Sequence, residues 1–159
     1  VHNPADTPLY CNFGSHEAYA AGGEFSDWSV RFEHTEDLTL AEQKGGYLTG
    51  RVLPYARGVR ELPLNYEMFA DDSMLFRGLK SRRIRLLHAG KPVTEVEFSP
   101  YEHLLLWTKP GAPYICIEPW NGVPDYADAD GELPHKKGIL CIEGGGEIEM
   151  EHAVTFFTE

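Results

Sequence analysis

An all-β sandwich is the fold class this sequence predicts, and three features predict it. Apolar and polar residues alternate with period two in many short segments, Pro and Gly punctuate those segments, and helix signals are scarce. At 159 residues the chain is long enough for one domain, which at this size buries roughly 70% of its unfolded surface. No linker or repeat divides residues 1–159, so a single β-sandwich domain is expected.

Trp28, Val30 and Phe32 alternate with Ser29 and Arg31, the mark of a half-buried strand. Thr39-Leu40-Ala41-Glu42-Gln43-Lys44 reads as one short helical turn ahead of Gly45-Gly46. Arg83 to Leu87 and Val93 to Phe98 alternate again on either side of Ala89-Gly90-Lys91-Pro92, whose turn chemistry predicts a hairpin. His103 to Trp107 and Tyr114 to Glu118 are apolar runs suited to strands buried on both faces. Lys109-Pro110-Gly111-Ala112-Pro113 separates them. The tail predicts a strand over Gly138 to Ile142, a turn at Gly144-Gly145-Gly146, and strands through Ile148 and over Val154 to Phe157.

Composition narrows the function classes. Hydrophobic residues make up 42% of the chain, which argues against disorder, and no apolar run approaches the roughly 20 residues of a membrane helix. The first residues lack the basic-apolar-small order of a signal peptide. A net charge of -11 argues against nucleic acid, which calls for clustered Lys and Arg. The one basic cluster, Lys80 to Arg85, reads as an alternating strand with its charges in solvent. Such an acidic surface favours solubility and suits neutral or cationic ligands better than phosphorylated ones.

Cys11, Cys116 and Cys141 are odd in number and show no metal-like spacing, so neither a disulfide framework nor a metal site is expected. Cys116 and Cys141 read as buried small hydrophobes, and reduced thiols fit a cytoplasmic setting. The seven His residues show no zinc spacing either. Asp128-Ala129-Asp130-Gly131-Glu132 is similar to a calcium loop, but Tyr126 and Lys137 would occupy its first and last ligand positions. A solvated acidic turn is the expected structure.

Two residues sit where packing alone would not put them. Glu118 closes the apolar run Tyr114-Ile115-Cys116-Ile117 and precedes Pro119-Trp120, so it is expected to be partly desolvated. Desolvation raises its pKa and makes it a better proton acceptor. A Glu paired to an Arg at a sandwich rim would show the same local pattern. His16, in Gly14-Ser15-His16-Glu17-Ala18-Tyr19, is expected on a loop that Gly14 turns sharply, where an imidazole can donate or accept a proton near pH 7. A surface or hydrogen-bonded core His fits as well.

The run Trp107 to Gly122, with Cys116-Ile117-Glu118-Pro119-Trp120 at its centre, closely resembles the aldose 1-epimerase (galactose mutarotase) family in its LacX-like branch. Asn3 to Tyr19 resembles the family's Gly-x-His-x-x-aromatic segment. Leu62-Pro63-Leu64 with Phe69, and Asp72 to Phe76, resemble its middle; Lys137-Gly138-Ile139 and Gly146-Glu147 resemble its closing strands. The resemblance covers nearly the whole chain in order. It implies a galactose-mutarotase-like supersandwich that interconverts the α and β anomers of a free hexose, without metal or redox cofactor. It assigns Glu118 as general base and His16 as general acid. Asp72 falls where the family often has an acidic sugar ligand, with Asp71 beside it leaving the register open. Trp107 and Trp120 are candidates to stack on a pyranose, or to fill the core.

Family members are about twice this long. The chain is therefore expected to be the C-terminal part of a larger domain, a piece of a cleaved or split protein, or one that completes itself by assembly. Its expected partners are a hexose and either a complementary N-terminal chain or another copy. Catalysis requires His16 and Glu118 to face one cleft, roughly a sugar ring apart. A non-catalytic sugar-binding sandwich would tolerate a misplaced His16, and an assembly domain would have no cleft.

Overall fold

The computed structural model describes residues 1–158. Its strands are β1 (Leu9–Cys11), β2 (Ala18–Ala20), β3 (Trp28–Lys44), β4 (Tyr47–Pro63), β5 (Met74–Phe76), β6 (Arg83–His88), β7 (Lys91–Glu97), β8 (His103–Trp107), β9 (Tyr114–Trp120), β10 (Leu140–Ile142) and β11 (Ala153–Phe156). Among the described residues the helices are three short 3-10 turns, at Phe25–Asp27, Tyr66–Phe69 and Leu133–His135. No helix among them is long and apolar enough to cross a membrane.

β1 and β10 form a small two-stranded sheet. The other nine strands form one antiparallel sheet in the order β11-β7-β6-β3-β5-β8-β9-β2, with β4 attached to β3. This sheet curls until its two ends meet. Tyr19 of β2 faces Phe156 of β11 with ring centroids 6.5 Å apart, and Glu17 Oε1 lies 3.1 Å from His152 Nε2. No ladder joins β2 to β11 among the described residues, so the seam is closed by side chains around a cavity of about 480 Å³.

The curl encloses the main core. Val30, Phe32, Phe76, Leu86, Leu104, Ile115 and Ile117 are all buried inside it. Each side chain of this kind stabilises the fold by about 1.5–3 kcal/mol when it leaves water. A second cluster, Ala41, Leu48, Leu75, Leu105 and Val123, packs separately, with Trp107 and Trp120 against it. The period of two explains the division. Ile115 and Ile117 point into the first core, so Cys116, Glu118 and Trp120 point to the opposite face of β9.

Several expectations hold. β6 and β7 form the hairpin at Ala89-Gly90, where φ of 47° and 78° make a tight two-residue turn. The basic cluster is strand only from Arg83 on: there Ile84 is buried while Arg83 and Arg85 reach the carboxylates of Glu33 and Glu95. Lys80 to Arg82 precede β6, and Arg82 donates to the Leu79 and Ser81 carbonyls.

Others need correction. Thr39 to Lys44 is strand, not a helical turn. It pairs with β4 from Thr39↔Pro54 to Lys44↔Tyr47 around Gly45-Gly46, whose φ of 60° and 83° suit a two-residue hairpin. Long-range pairing overrides the local sequence there. Cys141 is exposed, because among the described residues β10 pairs only with the short β1. Ile148 lies in no strand; its neighbour Glu147 makes a single bridge to His2.

β3 is bulged around Glu36, where its register against β4 shifts on both sides. The bulge turns the Glu36 side chain inward, and it is buried. Its Oε1 accepts the Ser81 N–H at 2.7 Å and the Ser81 hydroxyl at 2.6 Å, and the Lys80 N–H also donates to the carboxylate.

Candidate active site

β9 delivers Glu118 to the face away from the main core, opposite Leu105 of β8. Its side chain is only 1% exposed, and Oε2 has no hydrogen-bond partner among the described residues. Burial raises its pKa from the ordinary 4.5 to about 7; the Glu17 charge adds to the rise, and His16 and the Trp120 N–H oppose it. The resulting carboxyl group takes up and releases a proton near neutrality.

This shift has a measurable consequence for stability. Below about 4.5 the folded and unfolded chains both hold the proton, and burial of the neutral group costs little. As pH rises from there to about 7 the unfolded chain ionises first, so stability falls, and above that range the loss is constant. Glu118→Gln does not titrate. Urea unfolding at several pH values is expected to show wild type losing stability relative to this variant across that window; a constant difference would mean that Glu118 is not desolvated.

His16 stands on the loop between β1 and β2, which is laced to β9 by backbone. Ser15 N–H donates to Pro119 O at 3.0 Å, Asn121 N–H to Phe13 O at 3.0 Å, and Ile117 N–H to Glu17 O at 3.2 Å. The Trp120 indole N–H donates to Ser15 O at 3.0 Å. The imidazole is 66% exposed, with Nδ1 3.1 Å from Glu118 Oε1, and it meets the Trp107 ring edge-on. His16 and Glu118 therefore share one cleft, but they touch instead of standing a sugar ring apart.

Gly14 serves this loop differently from the sharp turn expected of it. Its φ lies outside the left-handed region, and a Cβ there would lie 2.9 Å from Trp120 Cδ1. What the glycine permits is close approach to the indole. Gly14→Ala is expected to displace Trp120, changing tryptophan emission and costing about 1 kcal/mol in thermal unfolding. An unchanged spectrum would show that the indole is free to move aside.

The cleft measures about 300 Å³. It brings together all five residues singled out from the sequence: His16, Glu118, Asp72, Trp107 and Trp120. Asp72 is among the lining residues and Asp71 is not. The Asp72 backbone has a φ of 104°, a sparsely populated conformation for a non-glycine residue. Trp107 and Trp120 are half-buried, each lining the cleft while packing on the second core cluster.

Gln43 and Ser73 also line the cleft, and sequence reasoning missed both. Gln43 Nε2 donates to Ser73 O and to Ser73 Oγ, each at 3.3 Å. Reading Thr39 to Lys44 as a strand would have placed Gln43 on the same face as Ala41, toward the cleft.

Cys116 adds a third reactive group. Its sulfur, a ring nitrogen of His16 and a carboxylate oxygen of Glu118 all lie within 4.8 Å of one another. Burial, helped by the Glu118 charge, pushes the thiol up to about 11, so it is protonated at neutral pH.

Elsewhere, Asp125 to Lys137 surround a hollow of about 360 Å³ whose charges are largely paired within it. Asp130 lies 2.7 Å from His135, Lys137 lies 3.6 Å from Asp128, and Lys136 binds Asp125. The segment Asp128 to Glu132, expected to be a solvated acidic turn, forms part of the wall of this hollow and is exposed.

No protein-family model matches the chain. Two LacX proteins of Lactococcus lactis subsp. lactis, one chromosomal and one plasmid-borne, are each 29% identical to it over 139 residues. The match takes in 81% of this chain and 46% of either relative, so the chain spans about half the length of the curated relatives it matches. Among solved structures, a galactose mutarotase related enzyme from Lactobacillus acidophilus superposes with a TM-score of 0.88 at 22% identity, over 99% of this chain and 55% of that one. A galactose mutarotase-like protein from Lactobacillus casei ATCC 334 gives 0.82 at 20% identity, over 96% and 54%. The curled sheet is thus the galactose-mutarotase-like fold.

Proposed function

We propose that this chain, which is similar to the LacX proteins and shares the galactose-mutarotase-like fold, interconverts the α and β anomers of a free hexose. The observation that carries this reading is the meeting of a buried carboxyl and an exposed imidazole in one cleft, between two indoles and beside Asp72 and Gln43. In the forward step Glu118 takes the proton from the C1 hydroxyl while His16 gives one to the ring oxygen. The bond between C1 and the ring oxygen breaks and the open-chain aldehyde forms. Rotation about C1–C2 and reclosure, with the proton transfers reversed, yield the other anomer. No net proton is consumed.

A sugar ring enters only if the imidazole swings off Glu118. The high exposure of His16 leaves it free to do so, and the unpartnered Oε2 of Glu118 is the acceptor the anomeric hydroxyl would find. The indoles of Trp107 and Trp120 would stack on the apolar face of the ring, as aromatic faces do. The test is anomer exchange of α-glucose or α-galactose, followed by NMR or polarimetry with and without protein. Acceleration over buffer is expected; folded protein that leaves the spontaneous rate unchanged would refute the proposal. The direct contact between His16 and Glu118 favours a second reading, a sugar-binding sandwich that does not turn over. It predicts sugar-induced change in tryptophan emission without exchange.

We also propose that the chain works with complementary strands, either an N-terminal chain or a second copy. Among the described residues β4 pairs with β3 and, beyond one bridge from Leu48 to Tyr126, with no other strand, and its Tyr47, Val52, Leu53 and Tyr55 are exposed. A long edge carrying apolar side chains invites pairing. Light scattering is expected to give a mass above the 17.9 kDa of one chain; a compact monomer without partner would rule self-association out. A reducing, cytoplasmic setting suits the three free cysteines.

A further inference from the structure

We propose that His16, Cys116 and Glu118 form a binding site for one thiophilic divalent cation of the Zn²⁺ class, reached through the cleft. Neither the sequence spacing nor the proposed proton chemistry calls for it. The geometry does.

Cys116 and Glu118 alternate along β9 on the same face, and His16 reaches them from the loop laced to that strand. One donor atom from each lies within 4.8 Å of the others, and His16 Nδ1 is already 3.1 Å from Glu118 Oε1. A tetrahedral ion with bonds of about 2.0 Å to nitrogen and oxygen and about 2.3 Å to sulfur needs its ligand atoms roughly 3–4 Å apart. Small side-chain rotations supply that. Three protein ligands leave a fourth position facing the cleft, where water would complete the shell.

A second observation points the same way. Glu118 is almost wholly buried, and its Oε2 lacks any partner among the described residues. A cation between Oε1, the imidazole and the sulfur would neutralise the carboxylate that burial penalises. The mixed set of thiol, imidazole and carboxylate selects Zn²⁺ or Co²⁺ over Mg²⁺ or Ca²⁺, which prefer all-oxygen shells. Binding displaces one proton from the Cys116 thiol to solvent, giving a thiolate–metal bond, with no change of oxidation state.

Metal in this position occupies both members of the proposed acid/base pair, so Zn²⁺ would act as an inhibitor of the activity proposed above. Only that consequence rests on the proposed function; binding does not, and it is tested separately.

Chelator-treated protein is titrated with Co²⁺ and then with Zn²⁺. One Co²⁺ per chain is expected, with a sulfur-to-metal charge-transfer absorption band that Zn²⁺ abolishes by displacement. Cys116→Ser, close to isosteric, is expected to lose the band and to weaken Zn²⁺ binding about 100-fold. His16→Ala tests the same site at an exposed position where folding is not at stake, and is expected to weaken binding similarly. Cys11→Ser/Cys141→Ser is expected to keep the band, since those cysteines lie on the small sheet. Absence of a band in wild type, its survival in Cys116→Ser, or its loss in the Cys11/Cys141 variant would each overturn the site. Stoichiometric Co²⁺ binding in protein that shows no anomer exchange would leave the metal site standing and remove the enzymatic reading.

Discussion

Glu118→Gln is expected to slow anomer exchange by about 10²–10⁴-fold, the amount a positioned acid or base contributes. The substitution keeps size, shape and one acceptor oxygen, and removes only the ability to take a proton. With its carboxyl raised to about 7, the wild-type rate should climb with pH through neutrality as the base ionises, and the variant should lack that limb. Rates measured by polarimetry across this range, on chelated protein, separate the two. A variant as fast as wild type would take Glu118 out of the mechanism. Folding is not the confounding factor, since the same change should stabilise the chain at high pH by relieving a buried charge.

Glu36→Ala is expected to cost about 3 kcal/mol of stability, well beyond an ordinary surface change. Its carboxylate accepts two backbone N–H groups and one hydroxyl from Lys80 and Ser81, all drawn out of water by the fold. Removing it strands those donors and leaves the bulge of β3 with nothing to hold. Glu36→Gln retains acceptor oxygen and should recover part of the loss. Urea denaturation of the three proteins would measure it, and equal midpoints for Glu36→Ala and wild type would show that water replaces the carboxylate.

Much of this was legible in the sequence. Strict alternation in Arg83 to Leu87, and the long apolar runs before Trp107 and Glu118, state their strands directly, because burial of one or both faces dictates the pattern. Glu118 stands out because a carboxylate ending such a run is expected to be desolvated, a pattern it shares with an Arg-paired Glu at a sandwich rim until the structure shows its burial. Gln43 and Glu36 did not stand out, for a different reason. Both lie on β3, whose path is set by pairing with β4 and, in different stretches, with β6 and β5; Glu36 turns inward at a bulge that no local pattern encodes, and Gln43 is hidden when its segment is read as a helical turn. Cys116 was read correctly as buried, but its nearness to His16 depends on a loop a hundred residues earlier in the chain.

The seam between β2 and β11 bears on how the molecule comes apart. A barrel stapled shut by its ladder must break backbone bonds to unroll; here, among the described residues, the clasp is made by side chains such as the Tyr19–Phe156 pair and the His152–Glu17 contact. Warming or acid should unfasten this join before the rest of the wall yields. β9, carrying Glu118, is then a single strand from the loosened rim, so the temperature at which the carboxylate becomes wet is set by how firmly three residues, Ala18 to Ala20, cling to their neighbour.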